Sequence, residues 1–166
     1  MASELRVDKI VPTDGVPTGG GGGIVQVVHE TRTTSFTTTN TAYVDFMSVT
    51  ITPKFNTSKM LVRYGLSAGT DNDNMHVYSS MFRNDTQIAT PTDTGSRTDS
   101  FSVHNTMDQS MTYGGGEHLD SPATTSAVTY KIQVKLSDAS NSAQFRNQQI
   151  NNGVGQSRLV AMEVSA

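Results

Sequence analysis

From Ile24 onward, apolar and polar residues alternate along the chain with a period of two rather than 3.6, the spacing of strands and not of helices. Tyr130, Ile132, Val134 and Leu136 alternate with Lys131, Gln133 and Lys135, which predicts a strand with one buried and one wet face. Met60, Val62, Tyr64 and Leu66 alternate with Lys59, Leu61, Arg63 and Gly65 in the same way. In Met75–Phe82 both parities carry apolar or aromatic residues, which predicts a strand covered on both faces. Ile24–Val28 opens the series and Val160, Met162 and Val164 close it.

In AYVDFMSVTI, residues 42–51, the phase changes: Val44 and Phe46 share one parity, Met47, Val49 and Ile51 the other. One extra residue in a strand does this, so a β-bulge is expected near Phe46. Turn chemistry separates the runs at Thr52-Pro53, Asp71–Asn74, Thr90–Gly95 and Gly114–Gly116. No window has helical spacing. Seven to ten short strands of this kind predict an all-β fold, an antiparallel β-sandwich of the jelly-roll type.

The first 23 residues differ. Leu5, Val7, Ile10 and Val11 form a short, loosely alternating run, Pro12–Gly15 reads as a turn, and Gly19–Gly23 form a pentaglycine linker. Residues 1–23 are therefore expected to be an extended N-terminal attachment arm, with Leu5, Val7, Ile10 and Val11 docking on a partner. Residues 24–166 are expected to be the sandwich.

Composition narrows the classes. Apolar residues make up 34% of the 166 and charged residues 16%, with a net charge of −3. The twelve Lys and Arg are scattered singly, so no basic face for nucleic acid is expected. Cysteine is absent, which excludes disulfides and thiolate metal sites. No stretch approaches the 18 or so apolar residues of a membrane helix. No GxSxG or HExxH occurs, so the chain reads as non-enzymatic and without a cofactor.

Two short stretches carry candidate chemistry. Asp71-Asn72-Asp73-Asn74 resembles the start of a calcium loop, but the glycine and glutamate that loop requires are replaced by His76 and Phe82. It reads as a hairpin tip. Glu117 and His118 follow three glycines, and that segment reads as a loop. A metal there needs further ligands, such as His104 or a symmetry mate. Asp71, Asn72, Asp73, Asn74, Glu117 and His118 are thus candidate receptor-facing residues on loop tips, within segments 71–74, 90–99 and 113–121. The eight methionines suit core gaps or subunit contacts, and the five tyrosines are too dispersed to indicate a shared patch.

The opening SELRVDKIVPTDGVPTGGGGGIVQVV, residues 3–28, resembles the start of phage virion proteins, particularly fibre-related and appendage proteins of marine cyanophages. ITPKFNTSKMLVRY (51–64) and LDSPATTSAVTYKIQVK (119–135) are similar to the same group, where they correspond to strands of a head domain akin to the jelly rolls of tumour-necrosis-factor and C1q proteins. The resemblance implies a non-enzymatic virion component, assembled in the cytoplasm of a bacterial host. It further implies a homotrimer, held to other virion proteins by its arm and presenting its head to a host polysaccharide or receptor. With only about 23 residues before the head, a triple-stranded shaft like that of a full tail fibre is not expected. An arm of this length reaches at most about 80 Å. A capsid decoration protein is the alternative expectation, and a tail-associated polysaccharide-degrading enzyme a third.

Overall fold

The structure, a computed structural model, describes residues 23–70, 75–91, 98–106, 111–139, 145–147 and 155–165. The arm residues Leu5, Val7, Ile10 and Val11 and the candidate tip Asp71–Asn74 lie outside the described residues.

Eleven strands are described: β1 (Ile24–Arg32), β2 (Phe36–Thr38), β3 (Val44–Ile51), β4 (Lys59–Gly69), β5 (Met75–Arg83), β6 (Thr86–Ile88), β7 (Ser102–Thr106), β8 (Met111–Asp120), β9 (Val128–Leu136), β10 (Phe145–Asn147) and β11 (Ser157–Val164). They form two antiparallel sheets. The first runs β1-β11-β4-β8, and β10 also pairs with the end of β4 and carries β2. The second runs β3-β9-β5, with β7 and β6 side by side along the far edge of β5. Among the strands of five residues or more, the first pairs with the last, β3 with β9, β4 with β8 and β5 with β7. This is one long hairpin rolled up until its halves face each other, the jelly roll that the alternation predicts.

The core lies between the sheets. Val128, Tyr130, Ile132, Val134 and Leu136 of β9 face Met60, Val62, Tyr64, Leu66 and Ala68 of β4 across it, with Val77 and Met81 of β5 and Phe46, Met47, Val49 and Ile51 of β3. Met60, Met75 and Met81 fill this core. The expected bulge exists: the register of β3 against β9 shifts between Asp45 and Met47, so Phe46 and Met47 are both buried although adjacent. In β5 the inward residues Met75, Val77, Ser79 and Met81 are buried and the outward His76, Tyr78 and Phe82 half-buried, as two-sided patterning predicts.

One reading needs correction. Residues 114–120 are not a loop. Gly114–Asp120 belong to β8, which pairs with the whole length of β4. The glycines serve close approach between the sheets: a Cβ on Gly116 would collide with the Phe101 ring, and one on Gly114 would lie 2.5 Å from Cε1 of His104. The expected C-terminal strand is β11. The alternating Val160, Met162 and Val164 face outward, while Ser157, Leu159, Ala161 and Glu163 are buried. Both parities of β11 are largely apolar, so alternation alone does not say which face is inside.

Different chemistry closes the two open edges of the sandwich. Where β1 meets β3, polar contacts do it: the Ser48 amide donates to Glu30 Oε2 (2.7 Å), Arg32 Nη1 donates to the Phe46 carbonyl (2.7 Å), and Gln26 Nε2 donates to the Thr52 carbonyl (2.7 Å). The Arg32 guanidinium also lies over the rings of Phe36 and Phe46, at 4.9 and 5.1 Å. Where β8 meets β7, His104 and Phe101 fill the space left by Gly114 and Gly116.

Candidate functional site

The outward face of the first sheet carries the least satisfied surface among the described residues. The registers place Val27, Met162, Leu61 and Leu119 directly opposite one another on four successive strands. Val27 is 51% exposed and Leu119 50%. Cross-strand neighbours on one face touch, so these four form a continuous apolar row across the sheet. An isolated protein normally places charge on such a face; a contiguous apolar patch marks a contact surface.

One row further along the strands stand His29, Val160, Arg63 and Glu117, and beyond them Thr31, Arg158, Gly65 and Gly115. The paired glycines Gly65 and Gly115 leave a strip without side chains. It forms the floor of an open trough of about 660 Å³, bordered by Arg63, Glu117 and Val160 on one side, Tyr113 on the other and Arg158 at the β11 end. Tyr113 leans over this strip, its phenol occupying the place of a Cβ on Gly65. Gly65 is therefore buried while Tyr113 is 68% exposed. The Arg158 guanidinium is oriented by Gln156 Oε1, which accepts from Nε (2.9 Å) and Nη2 (2.7 Å). Arg63 and Glu117 are opposite one another in register, yet no ion pair joins them among the described residues.

The outward face of the second sheet is better satisfied. Lys135 Nζ lies over the rings of Tyr43 (4.6 Å) and Tyr78 (5.7 Å), and Tyr78 stacks on His76. Tyr43 donates to the Asp99 carbonyl (2.6 Å) and accepts from Ser80 (2.9 Å). Burial raises its pKa, so the phenol stays neutral. Lys131 pairs with Asp85 at 3.1 Å and Asp45 at 3.7 Å. The tyrosines dispersed in sequence thus meet in one case, Tyr43 with Tyr78, and the lysine between them already occupies their faces.

Glu117 and His118 point to opposite sides of the sheet, Glu117 exposed at the trough and His118 half-buried on the inner side. His104 is buried on β7 and burial lowers its pKa, which keeps the imidazole neutral. No three His, Asp or Glu side chains converge as a cation site would need, among the described residues. The trough residues Arg63, Tyr113 and Arg158 escape sequence reasoning because they are contributed by three different strands. Their only local signal is apolar or aromatic side chains on the wet parity of strands: Leu61, Tyr113, Leu119, Val160 and Met162.

No family model matches the chain, and no curated protein is similar to it in sequence. Among solved structures it is similar to a chain in the structure of infectious bursal disease virus, Gx strain. The two are 12% identical with a TM-score of 0.48, over 85% of this chain. The chain spans 37% of the length of that one. No helix among the described residues is long and apolar enough to cross a membrane.

Proposed function

We propose that this protein is a virion structural component, a homotrimeric knob on a phage particle that is anchored by its N-terminal arm and contributes to attachment at the host surface. The observation that carries the proposal is the apolar row Val27–Met162–Leu61–Leu119. It lies on a sheet whose inner face is already covered, no described residue covers its outer face, and a second copy of the chain would bury it. The resemblance of residues 3–28, 51–64 and 119–135 to cyanophage appendage proteins supplies the particle and the threefold arrangement. Gly23, the first described residue, exchanges hydrogen bonds with Ser165, which holds the start of the sandwich against the end of its last strand.

Sedimentation of the purified full chain tests the association, and antiserum labelling of intact particles tests the location. A species of three chains is expected, converted by Leu61→Lys or Met162→Lys to a folded monomer. Label is expected on the tail. A wild-type chain that remains monomeric at tens of micromolar sinks the trimer, and label spread over the capsid favours a decoration role instead.

A further inference from the structure

We propose that the trough over Gly65 and Gly115 binds an acidic saccharide, with a pyranose ring stacked on Tyr113 and its carboxylate held by Arg63 and Arg158. The inference deepens the attachment reading above and rests on it.

Three features of the trough point to this ligand class. The first is the floor. Gly65 and Gly115 face each other across β4 and β8 and carry no side chain, so the Tyr113 ring can lie low over Gly65 while the backbone at Gly115 stays exposed for a ligand to approach. The second is Tyr113. Its ring lies along that floor, over Gly65, and remains 68% exposed. An aromatic ring supported from below and open above is a platform for the C–H face of a sugar. The third is charge placement. Arg158 is opposite Gly65 and Arg63 two residues further along β4, diagonal neighbours on the same face about 7–8 Å apart at the backbone. Arg158 uses Nε and Nη2 to grip Gln156, which fixes its plane and leaves Nη1 outside that contact. Arg63 makes no side-chain hydrogen bond or ion pair to another described residue. Two guanidinium groups with unused donors beside a stacking ring suit a carboxylate, which a guanidinium binds in a planar, bidentate manner. Glu117 fixes the orientation: it repels the carboxylate from the β8 end of the trough and accepts hydrogen bonds from sugar hydroxyls there.

The apolar row starts four residues away from Gly65 along β4, about 13 Å. Burial of Leu61 against a second copy therefore leaves the trough at the margin of the contact. β8 is the outermost long strand of its sheet, so a chain-like saccharide can enter over Gly115 from the side.

Titration calorimetry on the full-length chain tests the proposal with trigalacturonic acid, its fully methyl-esterified form and inorganic phosphate as probes. Saturable binding of the acid is expected. Arg63→Gln and Arg158→Gln should each weaken it about tenfold or more, the usual loss for a hydrogen bond to a charged group. Tyr113→Ala should weaken it comparably while Tyr113→Phe keeps it, since the platform is the ring. These three side chains are on the surface, and unchanged thermal unfolding of each of the four variants establishes that a loss is local. Equal binding of the methyl ester, displacement of the acid by equimolar phosphate, or the absence of saturable binding would each overturn the assignment. None of those results alters the sedimentation or labelling outcomes, so failure of the saccharide site and failure of the virion reading are distinguishable.

Discussion

Gln26 donates a 2.6 Å hydrogen bond to the carboxylate of Glu163, joining β1 to the inner face of β11. Glu163 is fully buried, a place where a carboxylate survives only if its lone pairs are filled. The backbone amides of Lys54 and Phe55 fill them, at 2.8 and 3.2 Å, so one side chain pins the β3–β4 connection to the last strand. Burial pushes the pKa up, and the hydrogen bonds, led by that from Gln26, outweigh it and bring the net value below the ordinary 4.5. A depressed folded pKa contributes stability above pH 4.5 that is lost as pH falls through the folded value. Urea unfolding from pH 7 to pH 3 should show a midpoint that drops below about pH 4.5. Glu163→Gln should lower the midpoint at pH 7 by the equivalent of about 1–3 kcal/mol and flatten the acid limb. A variant that retains the full acid dependence would assign it to other carboxylates.

Tyr64 and Ser79 meet at 2.8 Å in the middle of the core, a hydrogen bond from one sheet to the other. Burial pushes the Tyr64 phenol up to about 12, and burial also raises that of Tyr130, whose hydroxyl donates to Asp120 Oδ2 at 2.7 Å. A tyrosine with a raised folded pKa gives stability that is complete below the unfolded value near 10 and is lost as pH rises above it. Ultraviolet titration should therefore find two phenols that ionise only together with the loss of near-ultraviolet circular dichroism, above about pH 11. Tyr64→Phe should leave one, at a cost of about 1 kcal/mol for the lost hydrogen bond, since the Ser79 hydroxyl keeps the Ser102 carbonyl as an acceptor. Five phenols ionising smoothly near pH 10 with the fold intact would contradict this packing.

The strands with one polar parity were readable from the sequence, and so was the bulge between Asp45 and Met47, because burying one face imposes a period of two and an inserted residue breaks it. Two things were not readable. In β8, Gly114, Gly115 and Gly116 suggest a turn by composition, yet they form a strand because Phe101 and His104 of the other sheet need the space where Cβ atoms would be. That reason lies in the other sheet, on and beside the preceding strand β7, and leaves no mark on the local pattern of β8. In β11, the only acidic residue, Glu163, is inside and Val160 and Met162 are outside, the inverse of what polarity alone suggests. Gln26 and the 54–55 amides decide it, and they are over a hundred residues away. The trough has the same origin, since Arg63, Tyr113 and Arg158 are assembled by register rather than by spacing.

Asp120 is the second buried carboxylate and should be the more costly one to remove. It ends β8 in the first sheet and holds two groups of the second: Arg83 Nη1, at 2.9 and 3.0 Å from its two oxygens, and the Tyr130 hydroxyl. Asp120→Ala leaves a fully buried phenol without an acceptor and a guanidinium without its counter-charge. The Arg83 side chain keeps about a third of its exposure, so water compensates part of the loss. The cost should lie at the lower end of the roughly 3–5 kcal/mol found when one partner of a buried pair is removed. Asp120→Asn retains an acceptor for Tyr130 and should recover about a third of that, while Tyr130→Phe alone should cost about 1 kcal/mol. Guanidinium unfolding of the three variants at pH 7 ranks them. If Tyr130→Phe proves as damaging as Asp120→Ala, the phenol rather than the ion pair is what ties the sheets together at this end.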